Sequence, residues 1–267
     1  MDIAKGLYSI GYLDSLAYKD TPIHRVDPRV KIVTTLFFLV TVVSMPAYQI
    51  SGLMPFFLYP VFLIVIGDIP LGFLFKKLLI VSPFVLMVAL FNPLFDKTPV
   101  LVIKGITITG GWLSFISIIT KFVLTIGTAV LLVATTSFNG ICEGLSAMRL
   151  PRVFVTQLML LYRYIFVLIE EALRMVRARD SRAPVKRAKS IGVFVQLVGV
   201  LLVRTISRAE RVYAAMLSRG FSGEFPGGRV HGLRAGDLVF LISWAVLFIL
   251  MRRYNIPVII GSLFGRL

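Results

Sequence analysis

The sequence predicts an all-α membrane protein: about five transmembrane helices, plus two long helices lying in the cytoplasm or at the membrane interface. Three observations carry that prediction. Hydrophobic residues make up 57% of the chain and charged residues only 16%, where a soluble domain carries about a quarter charged. Charge-free runs of membrane-spanning length recur, beginning with residues 32–67, which hold no Asp, Glu, Lys or Arg. The charge that is present is concentrated. From Arg149 to Arg234 there are sixteen Lys and Arg against five Asp and Glu, a net +11 of the +16 carried by all 267 residues.

The first 31 residues mix charged and apolar side chains. They lack the roughly 7–15-residue apolar core of a signal peptide, so the N-terminus is expected in the cytoplasm. The charge-free run after Lys31 is too long for one crossing and fits two, at about 20 residues each. Pro46 and Gly52 in "SMPAYQISG" mark the turn between spans at 31–48 and 52–69. Lys76 and Lys77 then lie on the positive, cytoplasmic side. A third span occupies 78–95, broken by Asn92 and Pro93 in "FNPLF". In "KTPVLVIKGITITGG", Val100, Val102, Ile106 and Ile108 alternate in part and Gly105 fits a turn, which predicts a short hairpin outside the membrane. The fourth span runs over 112–137. Lys121 inside it is read as snorkelling or facing other helices, in preference to marking an ion pathway.

Beyond "TTSFNG" the character changes. Residues 152–180 begin apolar and become amphipathic, with Glu170, Glu171, Arg174 and Arg177 alternating with Ile169, Leu173 and Val176. Residues 189–220 are apolar over 191–203 and charged thereafter. Arg163 interrupts the first apolar run and the second is short. Both are therefore read as boundary helices, apolar faces against the bundle and basic ends toward water. A last span is expected at 238–251. Four spans return the chain to the cytoplasm, which places the basic region inside. The fifth carries the C-terminus out, leaving Arg252 and Arg253 on the side the charge rule disfavours. Residues 255–265 are too short for a comfortable sixth crossing. The organisation is thus a membrane bundle over 1–148, a basic region over 149–233 and a C-terminal transmembrane segment over 234–267.

Several function classes are excluded. A net charge of +16 points to nucleic acid in a soluble protein. Here cationic loops follow from the positive-inside rule, and a lipid-embedded chain lacks the water-facing basic surface that phosphate binding needs. The single cysteine, Cys142, rules out an internal disulfide and reads as a packing residue. There is no glycine-rich phosphate loop ending in Lys-Ser or Lys-Thr, so the chain is not expected to hydrolyse ATP or to be an enzyme. His24 and His231 lie in polar loops, no residues have metal-ligand spacing, and no cofactor is expected in this chain. Near-absence of intramembrane acids argues against a self-contained proton-coupled or metal-ion carrier.

What remains distinctive is a pair of helix ends. In "AERVYAAMLSRG", Ala209, Val212, Tyr213, Met216 and Leu217 form an apolar stripe. Arg208, Arg211 and Arg219 place positive charge toward the C-terminal end, where the helix dipole favours it. Gly220 suits the left-handed residue that closes a helix, and Pro226 prevents resumption. Taken alone, the segment is explained as an ordinary helix end. The first long helix, however, also runs into an arginine between small residues, Ser181-Arg182-Ala183, before Pro184. Small neighbours let an arginine project, and its planar fork pairs bidentately with carboxylates. Two such tips suit two partner subunits.

These segments carry a resemblance. "HRVDPRVKIV", "FNPLF", "GITITGG", "GLSAMRLPR", "YRYIFVLIEEALRMVRARDSRA" and "RAERVYAAMLSRGFSG" resemble, in order and spacing, the transmembrane (T) component of energy-coupling factor transporters, a branch of the ABC-type vitamin and metal importers. The likeness is greatest to the cobalt-type CbiQ group. It implies coupling helices in the cytoplasm, a multi-pass protein of the cytoplasmic (inner) membrane, and two x-Arg-x motifs that dock on two ABC-type ATPase subunits. Carried over, the motifs are Ser181-Arg182-Ala183 and Ser218-Arg219-Gly220, with Arg179 of "ARD" a rival for the first contact. ATP and Mg would be bound by the ATPase partners. The substrate would be read by a separate membrane (S or M) subunit, and nickel, biotin or another vitamin stands beside cobalt as cargo. An alternative of another class is a membrane scaffold whose basic helices bind anionic lipid, at about 1 kcal/mol per Lys or Arg.

Overall fold

The structure, a computed structural model, describes residues 16–46, 50–95, 99–103, 106–182, 191–223 and 232–254. Its elements in chain order are α1 (Pro28–Val43), a 3₁₀ segment (Ser51–Phe57), α2 (Leu58–Gly67), α3 (Leu71–Phe95), β1 (Pro99–Ile103), β2 (Ile106–Thr109), α4 (Gly110–Thr136), α5 (Phe138–Ala147), α6 (Arg152–Asp180), α7 (Ile191–Leu217) and α8 (Ala235–Arg253). They divide into two compact units: Leu13–Ile141 with His231–Leu267, and Met1–Tyr12 with Cys142–Val230.

The first unit is a helical bundle organised on α1. Pro28 opens the helix, where its missing N–H costs nothing, and the carboxylate of Asp27 accepts from the Arg29 amide at 2.9 Å. Phe38 of α1, Phe56 of the 3₁₀ segment, Tyr59 of α2, and Trp244 and Phe248 of α8 form one buried aromatic cluster. Tyr59 stands edge-on to Trp244 with ring centres 4.8 Å apart, and Phe38 lies 5.3 Å from Phe248. The last helix is therefore built into the core of the first segments.

Polar contacts at the helix ends fix the directions. Asp237, in the first turn of α8, accepts from the Asp27 amide at 3.2 Å and from the Arg234 amide at 3.0 Å. At the other end of α1, Arg252 of α8 donates to the Ser44 hydroxyl. Hence α1 and α8 run parallel. Lys31 donates to the Thr135 carbonyl at 2.8 Å, and Lys121 to the Met45 carbonyl at 2.6 Å. Hence α4 runs antiparallel to both.

The long apolar patterns form helices close to the expected limits. Three differences have local causes. Helix α3 starts at Leu71, so Lys76 and Lys77 lie within it, with Lys77 over the Phe73 ring at 5.6 Å. Pro93 sits inside α3, which ends two residues later at Phe95. Pro83 also lies inside it, and each proline leaves one carbonyl of the preceding turn without its usual donor. Asp68 closes α2 in the left-handed conformation, and Ser137, at φ 57°, separates α4 from α5. The hairpin forms, β1 antiparallel to β2 with Ile103 opposite Ile106. Gly105 and residues 255–265 lie outside the described residues.

Among the described residues, five helices are long and apolar enough to cross a membrane: α3, α4, α6, α7 and α8. The number matches the expectation, but the membership differs. Helix α1 has 16 residues, a rise of about 24 Å against a hydrocarbon core of about 30 Å, and the second apolar segment is the short Ser51–Gly67. Helices α6 and α7 qualify because their apolar residues outweigh the few charges among them, Arg163 in α6 and Arg204 and Arg208 in α7.

Candidate functional site

The second unit carries the two arginine tips. Helix α6 has 29 residues and α7 has 27, and the two touch over a stretch that is short beside their length. Both are amphipathic, as the sequence predicts. Nevertheless no residue of α7 is buried, and its apolar side chains Ile191, Phe194, Val195, Leu202 and Val203 are exposed.

The end of α6 closes on its own backbone. The Ser181 amide donates to the Arg177 carbonyl at 3.0 Å, and the Arg182 amide to the Arg179 carbonyl at 2.9 Å. The Ser181 hydroxyl donates to the Ala178 carbonyl at 3.0 Å. Serine at this position thus satisfies a carbonyl left over at the helix end. Arg177 and Arg179 occupy the last turn, favourable to the helix dipole. Arg182 is exposed. Arg179 differs: its side chain is 23% exposed and its guanidinium lies 3.8 Å from the Asp180 carboxylate. Ala183 lies outside the described residues.

The end of α7 is a complete Schellman closure. The Phe221 amide donates to the Met216 carbonyl at 3.0 Å, and the Gly220 amide to the Leu217 carbonyl at 2.9 Å. This pair of bonds requires a left-handed residue, and Gly220 has φ +79°. The Ser218 hydroxyl donates to the Ala214 carbonyl at 3.0 Å. Arg219 is thereby the last residue before the reversal, and its side chain is exposed. Neither Arg182 nor Arg219 has an ion-pair partner among the described residues, and no hydrogen bond joins one tip to the other.

One group that sequence reasoning left without a role ties the helices together. Glu171 of α6 faces Arg204 of α7 at 2.9 Å through one carboxylate oxygen, and Arg174 of α6 at 3.1 Å through the other. Glu171 is 20% exposed, the two arginines 59% and 58%. The signal available in the sequence was position: Arg204 is the first charge after the apolar run of α7, and Glu170 and Glu171 follow the apolar run 164–169 of α6.

Comparison with known proteins identifies the family. The profile of the CbiQ family, described as cobalt transport protein, matches residues 19–230, a stretch that includes both tips. The energy-coupling factor transporter transmembrane protein EcfT of Listeria innocua is 30% identical over 242 residues, covering 84% of this chain and 91% of its own. Its counterpart in Bacillus subtilis is 30% identical over 222 residues, covering 75% and 81%. The cobalt transport protein CbiQ of Rhodobacter capsulatus is 31% identical over 94 residues, covering 35% and 38%. This multi-pass membrane protein therefore belongs to the CbiQ family of cobalt transport proteins.

Proposed function

We propose that the chain is the coupling subunit of an energy-coupling factor importer. It takes ATP-driven movement from two ATPase subunits at its arginine tips and passes it to a substrate-binding membrane subunit, with cobalt ion as the cargo. ATP and its Mg would be held by the ATPases, and this chain supplies no catalytic group. The observation that carries the reading is the pair of tips: Arg182 and Arg219 stand exposed at the ends of two long helices whose terminal carbonyls are already occupied by backbone and serine donors. Each guanidinium is free to pair bidentately with a partner carboxylate. The family and the names of the relatives support the same reading.

The charge pattern supports boundary placement of α6 and α7 despite their length. Consecutive helices that both crossed would put Arg177, Arg179 and Arg182 on one side of the bilayer and Arg208, Arg211 and Arg219 on the other. The positive-inside rule disfavours that split. With both helices on the cytoplasmic side, both tips reach the ATPases. Movement of one ATPase relative to the other then shifts one helix against its neighbour, the two-state element that a coupling mechanism requires.

The test is reversal of charge at the tips. Arg182→Glu and Arg219→Glu should each reduce ATPase co-purification and cobalt uptake by about tenfold or more, in line with the roughly 2–5 kcal/mol lost when one side of a buried charge pair is removed. The combination should abolish both. Arg179→Glu should act more weakly than Arg182→Glu, and Arg174→Ala within about twofold of the parent. Near-normal transport with both tips reversed would sink the proposal. A graded, salt-sensitive loss that is indifferent to which arginine is removed would favour the lipid-binding scaffold.

A further inference from the structure

We infer that Glu171 and Arg204 form the pivot on which α6 and α7 turn, and that this ion pair is a positioning element for both tips. The carboxylate uses both oxygens, one on Arg204 of the neighbouring helix at 2.9 Å and one on Arg174 of its own helix at 3.1 Å. Arg174, three residues on, sits over the next turn of α6 and holds the carboxylate in place from one side. Arg204 then fixes which turn of α7 meets which turn of α6.

The place of the pair along the chain gives it its role. In α7 it falls where 191–203, without a charge, gives way to Arg204, Arg208, Glu210 and Arg211. In α6 it falls where the apolar run 164–169 gives way to Glu170, Glu171, Arg174 and Arg177. It therefore sits at the changeover from apolar to charged surface in both helices. Beyond it, eleven residues lead to Arg182 and fifteen to Arg219. At about 1.5 Å per residue the two charged arms are about 16 Å and about 22 Å long. Close approaches between the helices are few for their length, which fits a crossing better than side-by-side packing. A crossing held by apolar contact alone permits sliding. A crossing pinned by a charge-assisted pair converts a push on one arm into rotation about the pin.

The geometric inference stands without the ATPase reading; only its use in transport rests on that reading. The experiment therefore uses the full chain alone, in lipid nanodiscs. Nitroxides on Ala178→Cys and Ala215→Cys, both exposed and in the last turns of the arms, report the distance between arms by double electron–electron resonance. Cys142 is buried and stays unlabelled. The parent should give one narrow distance distribution. Arg204→Ala should at least double its width, and Arg204→Gln carries the same test should Arg204→Ala not express. Arg174→Ala should broaden it less. Glu171→Lys combined with Arg204→Glu restores the cross-helix pair and should restore the narrow distribution. An unchanged width in the Arg204 variants, or a charge-swapped chain as broad as Arg204→Ala, would overturn the pivot. A charge-swapped chain that keeps the narrow distribution but, in a separate pull-down, no longer co-purifies the ATPases would count against the docking reading instead.

Discussion

The two units differ in what their helix ends receive from other helices. In both, the ends close on their own backbone, and Ser44 at the end of α1 donates to the Thr41 carbonyl much as the tip serines do, but in the bundle a cation from another helix is added. Lys31 of α1 donates to Thr135 at the end of α4, and Lys121 of α4 donates to Val43 and Met45 at the end of α1. Arg252 of α8 joins at Ser44. In α6 and α7, the backbone and a serine hydroxyl do the capping alone among the described residues. The carbonyls of Arg177, Ala178 and Arg179 in α6, and of Ala214, Met216 and Leu217 in α7, all accept from within their own turn. The cation nearest each end is left over. A lysine that caps a neighbour is consumed by the fold, whereas an arginine beside a self-closed end is available to another molecule. The same rule of cations at helix C-termini thus produces a tie in one unit and an exposed contact in the other.

The sharpest way to break this comparison is to remove one cation of each kind. Lys31 is 2% exposed, and its nearest opposite charges are Asp27 and the buried Asp237. Lys31→Met should cost about 2–3 kcal/mol, because it strips the Thr135 carbonyl of its donor and Asp237 of its compensating charge. In a detergent-purified protein this should lower the melting midpoint by about 5–10 °C, read from the fluorescence of the buried Trp244. Arg219→Met should change it by no more than about 0.5 kcal/mol, as for a surface side chain without partners. Equal losses from the two changes would mean that the tip, too, is part of the folded framework.

A smaller effect is expected at the turn that frees Arg219. An added Cβ at Gly220 would meet nothing within 4 Å, so Gly220→Ala charges only for the backbone at φ +79°. That cost is about 1–2 kcal/mol, enough to raise amide exchange at Arg219–Phe221 about fivefold or more. Exchange within α8 should be unaffected. If exchange at the tip is unchanged, the Schellman closure is not what orders it.

Much of this was legible in the residues. The charge-free runs found the segments of α3, α4 and α8, and the changeover from apolar to charged residues found α6 and α7 to within a few residues at their ends. Ser218, Arg219 and Gly220 could be placed because a left-handed glycine after an apolar stripe has one ordinary use. Ser181 and Arg182 carried a weaker signal, since Arg179 stands only three residues away. The pairing of Glu171 with Arg204 was not legible, because it joins residues 33 positions apart and periodicity reports only on neighbours within one helix. The same reason hid the ties made by Lys31, Lys121, Asp237 and Arg252. Lys121 was read as snorkelling or facing other helices, and its acceptors, the Val43 and Met45 carbonyls, agree with the second, though the sequence could not name them. Arg252 lies where α8 meets the end of α1, a tie that a rule about loops does not read.

The smallest effect sharpens the comparison from the bundle side. His24 lies just before α1, its Nδ1 2.7 Å from the Thr21 hydroxyl. Burial first, and the nearby positive charge of Lys31 second, hold its pKa below the ordinary value of 6.5. An unfolded chain therefore binds a proton at His24 at a pH where the folded chain does not. Stability is flat above about pH 6.5 and falls as the pH drops below it, because the unfolded state takes up more protons. Helices α6 and α7 contain no histidine, so this response does not come from them. Between pH 7.5 and pH 5.5 the parent's melting midpoint should fall by a few degrees more than that of His24→Gln, which stays neutral throughout. Equal slopes in the two proteins would show that protonation at His24 is no part of what holds the start of α1 in the bundle.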